Sequence, residues 1–484
     1  MANYRSPGVY VEEVSLLPPS VAEVESAVPA FVGYTEKATN LIADDLHQVP
    51  TTINSLGDFE LFFGGPEPED PANITIDVEE SITGTATTGF NVNLTLVPAN
   101  MSKHNLYHAI KLFYANGGGK CYIVSVGKLG TPLDVDVIID EGIAQVGNED
   151  TPTMIVVPEA VNLTQGEFDR VNQAMINQAA EMKDRFAIMD TFATTVPKTP
   201  GSVVADSKTG IDNIPADGAI RRFGAIYYPH LQTAYNHEFD FDALLLGAHT
   251  AIIDGAAGAP PSDQSGVALG VIKNNASAMY NAIKAEYSKY TKVLPPSPAM
   301  AGVYSRVDRG RGVWKAPANV GLIDVMKPMV SVAQSEQDVL NVNSDTGKSV
   351  NVILNSPGFG PLVMGARTLD GNNNEWKYIN VRRFFSVVEE SIKKSTSWAI
   401  FEPNTASTWV KVKAMIENYL YLQWRNGALA GATPGEAYEV RIGLGSTMNS
   451  VDVLEGRMIA EIGMAVARPS EFIILKFEQM MQTS

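Results

Sequence analysis

The chain has 484 residues, 45% of them hydrophobic and 19% charged, and a formal net charge of −18. That length exceeds one ordinary core and predicts two or three domains, while the apolar fraction excludes a disordered chain. The acidic balance excludes a general nucleic-acid binder, which needs a basic face against phosphate, and a single cysteine, Cys121, excludes an intrachain disulfide framework. The acid is unevenly placed: the first 120 residues hold 15 Asp or Glu against five Lys or Arg, whereas residues 360–484 hold thirteen of each. That asymmetry leaves room for charge matching between partners. The N-terminus lacks the basic and apolar regions of a signal peptide, and no apolar run reaches the roughly 18 residues of a membrane span. The expectation is a chain made and kept soluble inside the cell.

In chain order, Ser6-Pro-Gly-Val-Tyr-Val-Glu-Glu-Val14 follows a Pro-Gly breaker and predicts a strand. Pro29–Tyr34 reads as a short buried strand, and Ser55–Phe63 as a helical stretch with Ser55 as N-cap. From Gly64 to Lys103, prolines and alternating Thr, Ile, Val and Asn predict a β insertion or a long decorated loop. His104–Ala115 returns to helical spacing and ends at Asn116-Gly-Gly-Gly119, with strand Cys121–Val126 directly after it. Thr153–Val157, the helix Gln165–Lys183 and Arg185–Met189 form a predicted right-handed parallel βαβ unit, and Phe223–Tyr228 supplies a third such strand. Val267–Tyr290 reads as one helix, and Pro295, Pro296 and Pro298 are expected to break the chain into an extended loop.

Toward the C-terminus, Val381–Ser397 has Phe384, Val388 and Ile392 on one face, with Glu389/Lys393 and Glu390/Lys394 in the favourable i,i+4 order. The next helix, Ser407–Trp424, carries Trp409, Val412, Ile416, Tyr419 and Leu420 as its apolar stripe and stops at Asn426-Gly427. Arg457–Val466 changes to period two, and Arg468-Pro469 turns the chain into a last strand, Glu471–Phe477, which has five hydrophobic residues in seven. Such a segment must be buried against something, so the two ends of the chain read as strands lent to other subunits.

Strings that look catalytic fail on spacing. Gly347-Lys348-Ser349 lacks the glycine that a phosphate-binding loop needs, since Val342 stands there, and in Gly117-Gly-Gly-Lys120 the next residue is Cys121 in place of Ser or Thr. Gly358-Phe-Gly360 is a turn between strands, because Val363 replaces the small residue of a dinucleotide fingerprint. His104 and His108 have zinc-ligand spacing, but Asn105 occupies the place of the catalytic Glu, so they read as two polar residues on a solvated face. Cys121 reads as a buried, inert thiol. Glu159 and Asp190 follow the ends of two parallel strands, where open α/β sheets bind ligands, and Arg185 could polarise a substrate there. The alternative reading of each acid is a cap on the turn or helix that follows.

Several runs, taken together, resemble the contractile tail sheath proteins of phages and of phage-like contractile injection systems. They include Pro7–Glu13, Pro29–Gly33, Phe113–Tyr122, Asp184–Asp190 and Pro296–Tyr304 leading to Asp308, Gly312 and Lys315. In the last third, Gly365–Leu369, Asn380–Arg383, Glu389–Ile392, Phe401–Asn404, Trp424–Gly431 and Arg468–Phe472 follow in the family's order, with Ala465-Val466 and Ser470 as small departures. Segments 64–103, 194–219 and 230–265 match nothing in the family pattern and are expected to be outer decorations.

The resemblance implies a mixed α/β, multidomain tail-sheath fold. Its expected parts are an N-terminal β arm (1–20), an N-terminal region (21–130) with the insertion at 64–103, an inserted middle α/β domain (131–360), a C-terminal α/β core domain (361–470) and a C-terminal β arm (471–484). The arms complete sheets of neighbouring subunits through Val9, Tyr10, Val11 and Val14 at one end and Phe472, Ile473, Ile474, Leu475 and Phe477 at the other. It implies a structural subunit, not an enzyme, that stacks as six-fold rings in a helical tube and contracts from a strained extended lattice to drive an inner tube through a target membrane. Partners by this resemblance are further copies of the chain, the inner tube protein, and baseplate and terminal cap proteins. Paralogous sheath subunits are further candidates. No nucleic acid, stable membrane insertion, cofactor or metal is expected. The particle would be a virion tail or an injection system assembled in the bacterial cytoplasm, with an injection system favoured. Lys411 and Lys413 lie off the apolar stripe of their helix and are the candidate inner-tube contact. The alternative reading is a cytoplasmic α/β enzyme using Glu159 and Asp190.

Overall fold

A computed structural model describes residues 20–192, 214, 217–342 and 346–471. The predicted arm residues Val9, Tyr10, Val11 and Val14, and Phe472, Ile473, Ile474, Leu475 and Phe477, lie outside the described residues. The chain divides into two compact units, one spanning Glu25–Arg383 and one made of the segment up to Val24 together with the chain from Phe384 onward.

The larger unit is built on an eight-stranded sheet. β1 (Pro29–Thr35), buried at all seven positions, lies inside it, because PAFVGYT carries no charge and can be covered on both faces. β2 is Thr51–Ile53, β3 Ile74–Thr83, β4 Ala86–Leu96, β5 Cys121–Lys128, β6 Met154–Val156, β7 Phe186–Asp190 and β8 Gly224–Tyr228. They are followed by β9 (Leu231–Asn236), β10 (His249–Ile253), β11 (Ala256–Gly258), β12 (Thr291–Leu294), β13 (Val325–Pro328), β14 (Asn351–Ser356) and β15 (Gly360–Val363). The large sheet has the order β15-β14-β8-β7-β6-β1-β5-β2. Strands β5 to β14 in that order are parallel to their neighbours, with β2 and β15 antiparallel at the edges.

Alternation along the strands feeds two cores. Val32, Val124 and Ile226 join one core with Phe168, Val171, Met175 and Ile176 of the helix Gln165–Met182. Phe31, Ile123 and Tyr227 face the other. The second core is closed by α1 (Leu56–Phe63), α2 (Leu106–Ala115) and a helix at Ser297–Arg311. We label Gln165–Met182 α3. The predicted start of α1 is present, with Ser55 Oγ accepting the Asp58 N–H at 3.1 Å. The predicted βαβ unit is also present, as β6, α3 and the parallel neighbour β7.

Two expectations are corrected. Val267–Tyr290 is two helices, α4 (Leu269–Asn275) and α5 (Ser277–Tyr287), broken at Ala276 with φ −143° and ψ 64°. The prolines at 295–298 open a helix, α6 (Ser297–Arg311), where an extended loop was expected. Proline fits the first turn of a helix because its missing N–H has no intrahelical partner there. Gly302 of α6 lets it approach α2 closely: a Cβ at that position would stand 2.5 Å from the Phe113 carbonyl oxygen. The segments 64–103 and 230–265, expected as outer decorations, are joined, a pairing the sequence did not show. They pair with each other in a second sheet, β11-β10-β3-β4, in which β10 runs parallel to β3.

This lobe has its own core of Ile76, Val78, Leu94, Leu244, Leu246, Leu269, Ile272 and Ile283, closed by α4 and α5. The chain therefore enters and leaves the lobe twice, and the passages are bonded together at its root. The Glu69 N–H donates to the Glu238 carbonyl at 2.8 Å, and the Ser102 N–H donates to Glu69 Oε2 at 2.8 Å. His237 Nδ1 and Lys292 Nζ lie 3.4 and 3.6 Å from Glu69 Oε1. Burial raises the Glu69 pKa, but His237, the Ser102 N–H and Lys292 outweigh it and hold the carboxyl below its usual range. A three-stranded sheet, β12-β9-β13, and α7 (Gln334–Asn341), which precedes β14, complete the unit.

α8 (Ile379–Ser395) runs from the larger unit into the smaller one at Arg383/Phe384. The smaller unit adds α9 (Ala406–Arg425), β16 (Tyr438–Ile442), α10 (Ser450–Leu454) and β17 (Ala460–Met464). β16 and β17 form an antiparallel two-stranded sheet. α9 buries Val412, Met415, Ile416, Tyr419 and Leu420 and stops where Gly427 adopts φ 84°. At the end of α8, Lys393 and Lys394 both turn to Glu390, at 3.1 and 3.4 Å.

Candidate assembly interface

The two carboxylates of the enzyme reading are helix and strand fasteners. Glu159 is fully buried and accepts N–H bonds from Tyr34 at 2.9 Å, Asn105 at 3.0 Å and Leu106 at 3.2 Å, so it ties the end of β1 to the start of α2. Burial pushes its pKa up to about 8 against those donors. Asp190 accepts the Ser297 N–H at 2.8 Å and its hydroxyl, which caps α6 from a distant strand end, and burial pushes its pKa up to about 7. Arg185 cannot serve Asp190. It precedes β7 while Asp190 ends it, about 16 Å along a strand, and its guanidinium is spent on the Val146 and Glu149 carbonyls and on Asp184, each at 2.8 Å.

The histidine pair is also corrected. His104 and His108 are 7% and 1% exposed, not on a solvated face. His104 lies 3.8 Å from Glu159 and 4.0 Å from Glu67, while His108 meets Glu238 at 3.2 Å. Burial holds both imidazoles below their ordinary pKa. Among the described residues no group of three His, Cys, Asp or Glu is placed to hold a metal ion. Cys121 is buried 3.5 Å from the Tyr114 hydroxyl, and burial pushes its thiol up to about 12, so it stays protonated. No helix among the described residues is long and apolar enough to cross a membrane.

The smaller unit offers surface. Among the described residues its sheet has only two strands, so β16 and β17 each leave one edge of backbone N–H and C=O groups without a strand partner. α9 packs under β16, where Val440 is buried. Beyond β17 the chain continues through a bridge between Val466 and Leu429 to Glu471. At the other end, residues 20–24 run along α8 and α9: the N–H groups of Ala22 and Val24 donate to Ser395 Oγ and Ser391 Oγ at 3.1 Å each, and Gln423 donates to Glu23 at 2.9 Å. Both paths to the predicted arms thus lie in this unit.

The two lysines separate. Positions two apart on a helix differ by about 200°, and Lys411 stands on the exposed stripe of α9 with Val410, Ala414, Asn418, Leu422 and Arg425, which carries no acid. Lys413 lies on the flank and pairs with Glu417 at 3.7 Å. The sequence spacing contained this distinction. In the loop before α9, Phe401 is fully exposed at φ 67°, a feature with no signal in the sequence.

Residues 371–480 match the phage tail sheath C-terminal domain family. The chain is 28% identical over 214 residues to the tail sheath protein of Enterobacteria phage T4, a match that covers 42% of this chain but only 30% of that protein. Among solved structures, the sheath of the PVC extracellular contractile injection system in its contracted state is 28% identical, with a TM-score of 0.62 and 99% of each chain covered. The helical sheath of the anti-feeding prophage in its contracted state gives 28% identity and a TM-score of 0.62 over 98% of this chain and 99% of that one. These relatives are structural proteins. Residues 371–480 are similar to the phage tail sheath C-terminal domain, and the chain as a whole has the fold of the contractile sheath proteins.

Proposed function

We propose that this chain is the structural subunit of a contractile sheath: copies stack as six-fold rings in a helical tube around an inner tube, on a baseplate, and shorten from a strained extended lattice. The observation that carries this reading is the two-stranded sheet β16–β17, whose outer edges have no strand partner among the described residues, in the unit that also holds residues 20–24 and Glu471. A two-stranded sheet is marginal alone. A five-residue strand added to one edge makes about five backbone hydrogen bonds, each contributing roughly 0.5–1.5 kcal/mol net. The segments with strand character outside the described residues, Val9–Val14 and Phe472–Phe477, suit that addition on a neighbouring copy. Because the donor segment and the acceptor edge are different surfaces, the contact is heterologous and propagates as an open helix.

The exposed stripe of α9 with Lys411 and Arg425 is the proposed contact with the inner tube, and Lys413, paired with Glu417, lies outside it. Such a particle also needs a terminal cap. An injection system is favoured over a phage tail, since the likeness to the injection-system sheaths runs over the whole chain whereas the phage match covers less than half. Negative-stain electron microscopy of the full-length chain beside a variant lacking residues 1–14 and 471–484 tests the reading. Striated hollow tubes from the full-length chain alone support strand exchange. Tubes from the trimmed chain, or small discrete particles from the full-length chain co-expressed with its neighbouring tube gene, refute it.

A further inference from the structure

The larger unit continues into the smaller one at two places, Val24/Glu25 and Arg383/Phe384. One carboxylate, Asp308 of α6, holds the chain at both. Arg383 Nη1 donates to Asp308 Oδ1 at 3.0 Å and Nη2 to Oδ2 at 2.5 Å, a bidentate pair whose side chains are 4% and 5% exposed. The same Nη2 donates to the Ser26 carbonyl at 2.9 Å, and Ser26 Oγ donates to Asp308 Oδ2 at 2.8 Å. The guanidinium stacks over the Tyr304 ring, 4.6 Å from its centroid, and the Tyr304 hydroxyl meets that of Tyr227 on β8 at 2.8 Å. The knot is therefore rooted in the central sheet.

A buried ion pair is an expensive way to stabilise a fold, since apolar residues of the same volume do as well or better. What it supplies is register: a forked pair with both carboxylate oxygens engaged has one geometry, whereas packed hydrophobes can slide. We infer that Asp308, with Arg383 and Ser26, is a positioning pin that fixes the two points at which the chain passes from the larger unit to the smaller, so that a pull arriving through the smaller unit is delivered to the sheet at one place. α8 is continuous through Arg383, so pinning that residue also fixes the root of a helix. This inference rests on the sheath reading for its mechanical role, but its structural part stands without it.

The test uses hydrogen–deuterium exchange on the full-length subunit and electron microscopy of the assembled particle, for wild type, Asp308→Asn and the milder Ser26→Ala. Asp308→Asn should raise exchange tenfold or more at residues 24–28 and 379–386 while amides of β1 and β5 keep their protection, because charged hydrogen bonds are lost at the pin only. Ser26→Ala should raise exchange several-fold at 24–28 and leave 379–386 unchanged. In the particle, Asp308→Asn sheaths should assemble and then break on contraction. Wild-type protection at both segments in Asp308→Asn overturns the pin. If Asp308→Asn does not fold, unchanged exchange in Ser26→Ala overturns it instead. Exchange as expected, with Asp308→Asn sheaths contracting intact, overturns the mechanical role. Failure of the wild type to form tubes with its tube protein overturns the sheath reading and leaves the exchange result to decide the pin.

Discussion

Reversing the charge at Lys411 should separate assembly on the tube from subunit stability. Lys411 is exposed and makes no ion pair among the described residues, so Lys411→Glu should leave the thermal midpoint of the subunit within about 1 °C. A surface charge pair contributes roughly 0.2–1 kcal/mol, and reversal replaces the attraction by a repulsion of similar size. The loss is thus about 0.4–2 kcal/mol per subunit, or roughly 2–12 kcal/mol for a ring of six. Lys413→Glu is the control: it breaks the pair with Glu417, 3.7 Å away, and sets two acids at i,i+4, which costs the helix about 0.3–0.5 kcal/mol and should spare the tube contact. Co-sedimentation of sheath on its tube over a salt series is the assay. The Lys411→Glu defect should shrink as salt rises and the Debye length falls from about 10 Å at 0.1 M to about 3 Å at 1 M. Wild-type co-sedimentation of Lys411→Glu at low salt, or a larger defect for Lys413→Glu, would refute the assignment.

Further outcomes follow from the interior. Glu159 and Asp190 have folded-state pKa values raised to about 8 and about 7, so the stability they contribute is complete below about pH 4 and is lost as pH rises through 7 and 8. Glu69 and Glu238 are held low and His104 and His108 are held neutral, so their contributions are lost as pH falls below about 6.5 for the histidines and below about 4.5 for the acids. Above about pH 6.5 only the loss from Glu159 and Asp190 remains, so the thermal midpoint should drop as pH rises from about 6.5 to about 8, and a plateau up to about pH 9 would contradict it. Gly302→Ala sets a Cβ 2.5 Å from the Phe113 carbonyl oxygen and should cost about 1–3 kcal/mol in urea unfolding. Phe401→Gly removes a fully exposed ring at φ 67° and should stabilise the subunit by roughly 0.5–1 kcal/mol, read as a higher urea midpoint at unchanged slope.

Local pattern was enough for the βαβ unit, for α8 and α9, and for the stop at Gly427, because each depends on residues within a few turns of one another. α6 was hidden by its composition. It begins Ser-Pro, contains Gly302 and Gly310, and is buried over most of its surface, so it has no polar face to set a period. Its N-terminus is capped by Asp190, more than a hundred positions away. The pairing of β10 with β3 was hidden for a related reason: its partners are about 170 residues apart, and neither strand announces its neighbour. The capping role of Glu159 and Asp190 was legible as an alternative, and burial decided between the two readings. The separation of Lys411 from Lys413 needed only the pitch of a helix.

The lobe formed by β3, β4, β10 and β11 is stitched from two distant stretches of chain, and this constrains how it can change. Deleting residues 64–103 alone would strip β10 of its parallel neighbour and expose half of a core that includes Leu244 and Ile283. A gene cannot acquire or discard such a lobe in one event, and a chimaera that exchanges only one stretch should misfold. The tip of the β3–β4 hairpin is a different matter. Gly84 there has open space around it, and the turn belongs to none of the cores, which makes it the natural splice point for inserting a peptide.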